Sequence, residues 1–134
     1  MHALSDAGLQ LDEEASVLAD DGGFAGQLAA ADRVLDAHPA AEGYFCASDL
    51  AALALIRSLE THGYRVPEDV KVIGCNDMQL ALYNNKTITT IRHKTDEICG
   101  AAVDRLNRML AGEEIPEAER RTVLGVSLVK RETT

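Results

Sequence analysis

With 134 residues and 46% hydrophobic content, the chain can bury roughly two-thirds of its unfolded surface in a single domain, which argues against disorder. A formal net charge of -9 argues against direct binding to DNA or an anionic membrane, because both need Lys and Arg to meet phosphate. Aromatics are only 4%, with no Trp, too few for platforms that stack single-stranded bases.

No apolar run approaches the roughly 20 residues of a membrane span, and the N-terminus lacks a basic segment leading into an apolar one, so a soluble cytoplasmic chain without a secretion signal is expected. Residues 1–8 read as the last turn of a helix closed by Gly8, so the chain begins inside an element. Residues 12–14 are a solvated acidic run, and residues 15–19 are a strand candidate leading to the loop Asp20-Asp21-Gly22-Gly23. That loop lacks the spacing and the Lys of a phosphate-binding loop, and its aspartates would repel phosphate. From Phe24, the apolar positions Phe24, Leu28, Ala31 and Leu35 recur at helical spacing and predict an amphipathic helix ending near His38-Pro39.

Residues 44–47 form an apolar run too short for a helix, and Ser48-Asp49 follow with side-chain oxygens that cap helix starts. A helix through Leu50, Leu53, Ala54, Ile56 and Leu59 should close at Gly63, with Pro67 beyond it. The β-branched run 70–74 then supplies a strand ending in the turn-forming pair Asn76-Asp77. This β-α-β unit needs a right-handed crossover, which brings both strand ends to one edge of the sheet. Ligands of open α/β sheets bind beyond the carboxyl ends of strands, so Ser48, Asp49, Asn76 and Asp77 are the first candidate site residues. Helix capping and turn formation are the competing role for the same side chains.

Downstream, residues 78–83 suit one short helical turn, residues 84–86 a turn, and residues 87–91 a strand. Thr95 is expected to cap a third helix, with Asp96 and Glu97 at its positive end and Ile98, Ala102, Leu106 and Leu110 as its core stripe before Gly112. A charged connection over 113–121, a strand over 123–129 and a polar tail over 130–134 complete the chain. The alternation predicts an α/β fold with a mainly parallel sheet flanked by helices.

Catalytic signals are absent. His2, His38, His62 and His93 share no metal-site spacing with one another or with cysteine, and Ser48 does not sit in a glycine-flanked nucleophile elbow. Cys46, Cys75 and Cys99 lie in apolar surroundings and read as reduced core thiols; none has a histidine within a few residues, which leaves pairing in space open. The residues indicate a binding lobe rather than an enzyme, with no catalytic residue, cofactor or metal expected.

The run from Phe45 to Ala54, the segment from Gly63 to Val70, the turn Val72-Ile73-Gly74-Cys75-Asn76-Asp77, the segment Thr89-Thr90-Ile91 and the ending from Val126 to Thr134 together resemble the LacI/GalR family of bacterial transcriptional regulators. The resemblance covers nearly the whole chain. It implies one lobe of a periplasmic-binding-protein-like (type I) core: residues 1–134 as the C-terminal lobe with its returning segment, 95–121 packing in the other lobe of the intact protein, and the DNA-binding domain and first lobe absent. It implies a small-molecule effector, a sugar or sugar acid, contacted at the positions of Ser48 and Asn76, with Asp21 where an aromatic stacking residue commonly stands. Ser48 replaces the commoner Asn, and Asn76 followed by Asp77 replaces the commoner leading Asp, which changes the donor and acceptor pattern. The implied mechanism is allosteric repression in a homodimer, with operator DNA reached only through the absent domain and dimer contacts from residues 78–83 and the exposed side of the second helix. A rival on the same residues is a fragment of a periplasmic sugar-binding protein of an ABC transporter. The reduced-looking cysteines and the Lys130-Arg131-Glu132-Thr133 ending favour the regulator.

Overall fold

A computed structural model describes residues 5–8, 16–19, 21–39, 41–82 and 85–134. Helix α1 spans Phe24–Ala37, strand β1 Gly43–Phe45, helix α2 Asp49–Thr61, strand β2 Lys71–Cys75, a 3-10 turn Gln79–Leu82, strand β3 Thr89–His93, helix α3 Thr95–Leu110 and strand β4 Val126–Val129. The strands lie side by side in the order β1-β2-β3-β4, with β1, β2 and β3 parallel and β4 antiparallel to β3. The mainly parallel α/β sheet expected from the alternation is therefore present.

The β1-α2-β2 unit forms for the reasons visible in its residues. Ser48 sits at the N-cap with extended backbone, and its hydroxyl oxygen accepts the Ala51 N–H at 3.1 Å. At the other end Gly63 takes φ 87°, the left-handed turn that a β-carbon would oppose. Between them α2 buries Ala52, Leu55, Ile56 and Leu59 against α1 on one side and the sheet on the other. Full burial of a side chain such as Ile56 or Leu59 contributes about 1.5–3 kcal/mol. Val66, Val70, Val72, Ala81 and Ile88 close the same core from the strands and their loops.

Helix α1 buries Gly26, Ala30, Ala31, Val34 and Leu35. Its inward face is thus rotated from the expected stripe, since Phe24 remains 36% exposed and Leu28 is half-buried, because the small residues Ala30 and Ala31 allow the close approach to α2.

Three expectations are corrected. Residues 16–19 pair with no strand; only Val17 touches the core, and the rest of that candidate lies outside the described residues. Thr95 does not cap α3: it is the first helical residue, and Lys94 holds the cap position without a side-chain cap bond. The α3 stripe is not core, since no residue of the helix is buried and Ile98, Leu106 and Leu110 are 45%, 54% and 77% exposed. The described core is drawn from residues between Ala31 and Ile88, and no residue of α3 takes part in it.

The 130–134 tail is more than polar solvation. Thr133 is fully buried, donates its hydroxyl to the Val72 carbonyl at 2.7 Å and accepts the Thr89 N–H at 2.9 Å, tying β2 to β3 at the edge opposite the strand carboxyl ends. The expected short turn after Asp77 is present as Gln79–Leu82, while Tyr83, Asn84, the residues before Ser5 and the acidic run at 12–14 lie outside the described residues.

Candidate functional site

Parallel pairing of β1 with β2 puts the ends of both strands at one rim of the sheet, so Ser48 and Asn76 emerge from the same edge. The junction is bonded directly. Asp49 Oδ2 accepts the Met78 N–H at 2.6 Å, joining the start of α2 to the loop after β2. Its other oxygen, Oδ1, accepts the Thr90 hydroxyl at 2.6 Å, which brings in β3. Asp49 is completely buried, and a β-carbon on Gly74 would come within 2.3 Å of its Oδ1. Glycine at 74 is what lets the carboxylate lie flat against β2.

The turn at the end of β2 is held in an uncommon shape. Asn76 has φ 97° and Asp77 φ 52°, a left-handed region that Asn and Asp tolerate better than most residues. The backbone is secured by the Asn76 N–H donating to the Ile91 carbonyl at 2.8 Å. Asp77 is clamped by two arginines: Arg92 Nε donates to Oδ2 at 2.6 Å and Arg131 donates to Oδ1 at 2.5 Å. Burial pushes the Asp77 carboxyl up, but the hydrogen bonds and charges of Arg131 and Arg92 outweigh it and hold the group below its usual value. Arg131 also donates to the Ile88 carbonyl at 2.8 Å, so the clamp is anchored to the start of β3.

These bonds divide the four candidates. Both oxygens of Asp49 and both of Asp77 accept protein donors, whereas Asn76 is exposed at the rim. The Ser48 oxygen serves the helix cap, which leaves its O–H to donate outward. Asn76 at one strand end and Ser48 beyond the other thus offer uncharged donors and acceptors of the kind that meet hydroxyl groups.

Asp21 stands apart, at the start of α1. Its Oδ1 accepts the Gly23 N–H at 2.7 Å, and a β-carbon on Gly26 would approach that oxygen to 2.5 Å, so the loop folds onto the first turn of the helix only with glycine there. Asp21, Cys46 and Ala47 share a hollow of about 660 Å³ between residues 16–19, α1 and β1, whose lining does not include Ser48 or Asn76.

Three partners escaped the residue-by-residue reading: Thr90, Arg92 and Arg131. So did a contact between Cys75 Sγ and His93 Nε2 at 3.3 Å, made across the ends of β2 and β3. Of the three cysteines only Cys46 is a core thiol; Cys75 is half-buried and Cys99 exposed, so the apolar surroundings read from the sequence hold for one of them. Among the described residues no group of three or more His, Cys, Asp or Glu side chains could hold a metal ion, and no helix is long and apolar enough to cross a membrane.

Residues 2–134 match the family model of the periplasmic binding protein-like domain. The transcriptional regulator CelR of Thermobifida fusca is 38% identical over 104 residues, 78% of this chain and 30% of that protein. Among solved structures, a CelR–cellobiose complex superposes with a TM-score of 0.83 at 35% identity, covering 99% of this chain and 40% of the other. A LacI family regulator from Arthrobacter in complex with lactose gives 0.81 at 30% identity, covering 99% of this chain and 48% of the other. The chain thus spans less than half the length of the proteins it matches. It belongs to the periplasmic binding protein-like domain family, and the relatives and solved structures it resembles are transcriptional regulators, among them members of the LacI family.

Proposed function

We propose that this chain supplies one wall of the effector site of a cytoplasmic, non-enzymatic LacI-type regulator, and that the effector is a sugar or sugar acid. Ser48 and Asn76 are the contacts, Asp21 is a further contact from the separate hollow at the start of α1, and Asp49 and Asp77 hold the rim in shape. The observation that carries this reading is the division of labour at the rim: the two aspartates are occupied by protein donors, while Asn76 is exposed at the end of one strand and Ser48 follows the end of its parallel neighbour. Neighbouring structures hold cellobiose and lactose, ligands whose hydroxyl groups match such a rim. Residues 95–121 belong to the other lobe in the intact protein, consistent with a helix α3 that buries none of its side chains. Effector binding shifts closure of the lobes and thereby repositions paired DNA-reading domains in a homodimer, the means by which a chain of net charge -9 governs operator DNA it does not touch.

Calorimetry on the intact protein with cellobiose, lactose and a panel of sugar acids tests the site. At least one should bind, and Asn76→Ala should weaken it by about 1–3 kcal/mol, the cost of leaving a ligand hydroxyl unmatched in a closed cleft. Absence of binding across the panel would reject the sugar assignment, and an unchanged affinity in the variant would remove Asn76 from the site.

A further inference from the structure

We propose that Cys75 is a thiol-modification site at which His93 acts as the base and the co-reactant is a low-molecular-weight disulfide. The proposal is independent of the effector reading. It stands on the placement of two side chains that sequence spacing separates by 18 positions: Cys75 ends β2, His93 ends β3, and Sγ lies 3.3 Å from Nε2. Register explains the meeting. Cys75 pairs with Ile91, and His93, two residues further along the same parallel strand, projects on the same side of the sheet. Gly74 faces Asp49 and Ala52 of α2, so its neighbour Cys75 points to the opposite side, where it is half-buried rather than enclosed.

A thiol becomes a nucleophile on losing its proton, and a positioned imidazole is the commonest acceptor. Here the proton passes from Cys75 Sγ to Nε2 of neutral His93. The thiolate attacks one sulfur of the disulfide, the old S–S bond breaks as the new one to Cys75 forms, and the departing thiolate takes the proton back from His93. Thiol plus disulfide gives mixed disulfide plus thiol, so the disulfide supplies the oxidising equivalents and no other reagent is needed.

The other two cysteines are internal comparisons. Cys46 is buried, and burial, then the charge of Asp49, push its thiol up to about 12, so it should be inert. Cys99 is exposed on α3, which makes it the faster thiol if access alone governs the rate.

The test is reaction of this chain, in which Cys99 on α3 is exposed, with oxidised glutathione near neutral pH, with the rate at each cysteine followed by peptide mass spectrometry. Cys75 should react roughly tenfold or more faster than Cys99 despite its lower exposure, a modest part of what a positioned base supplies. Cys46 should stay unmodified, which also reports that the fold is intact. His93→Gln should bring the Cys75 rate to or below that of Cys99 while leaving Cys99 unchanged. A faster Cys99 in the unaltered protein, or a Cys75 rate indifferent to His93→Gln with Cys46 still protected, would overturn the proposal.

Discussion

At the residue scale, a single glycine and a single carboxylate decide how the rim is built. Asp49 is fully buried with Thr90 and Met78 as donors, so Asp49→Ala would leave a buried hydroxyl and a backbone N–H without an acceptor. The expected loss is about 3 kcal/mol, which lowers the melting temperature by roughly 10 °C for a domain of this size; thermal unfolding with a change of less than about 2 °C would show that water replaces the carboxylate. Asp77 makes a different prediction. Its folded-state proton affinity lies below the ordinary value of 3.8 because the hydrogen bonds and charges of Arg131 and Arg92 overcome the opposing effect of burial. The unfolded chain therefore takes up the proton first as pH falls. The stabilisation is complete above about pH 4 and is lost as pH drops through the lowered folded value. Asp69 and Glu132 are also held low and contribute to the same acid slope, so the comparison that isolates Asp77 is Asp77→Asn. That variant should melt lower at neutral pH and lose stability less steeply below about pH 4, as read from parallel melts. The positions of Ser48 at a helix cap and of Asn76 in a strand-ending turn are legible in the sequence because both carry local signatures. The fixed roles of Asp49 and Asp77 were not, since their partners Thr90, Arg92 and Arg131 stand 41, 15 and 54 positions away.

At the scale of elements, local signals placed α1, α2 and the strand cores to within a few residues, because capping, glycine closure and β-branched runs act over short distances. They failed where tertiary pairing decides. Residues 16–19 carry apolar side chains yet take no strand partner, and Thr133, read as tail, is sealed between β2 and β3 because its hydroxyl fits both strands. Helix α3 shows the limit most plainly: its periodicity is real, but periodicity reports an apolar face and not what covers it. A helix with no buried residue is held mainly by its own hydrogen bonds, with surface pairs such as Arg108 to Glu113 and Glu119 adding little. Hydrogen exchange on this chain should therefore show the amides of α3 exchanging well before those of α2 from Ala52 to Leu59, whose side chains line the core. Equal protection of the two helices would mean that α3 is covered in solution, against the assignment of 95–121 to another lobe.

At the scale of the whole molecule, the acidic charge and the exposed apolar side chains point in different directions, and the proposed homodimer reconciles them. Self-repulsion from a net charge of -9 opposes non-specific association, so any stable pairing has to come from a defined apolar patch. The 3-10 turn after β2 offers one: Met78 and Leu82 are 45% and 50% exposed, and Ala81 between them is buried, which fixes the turn against the Ile88 amide through a 2.9 Å hydrogen bond. A two-fold interface uses the same patch from both copies, so one substitution acts twice. Leu82→Asp would bury two like charges face to face while leaving the monomer core untouched. Sedimentation of the intact protein at micromolar concentration should give a dimer, and Leu82→Asp should shift it to monomer with its secondary structure unchanged. A monomeric parent, or a variant that still sediments as a dimer, would remove the turn from the interface and with it the proposed route from lobe closure to paired DNA-reading domains.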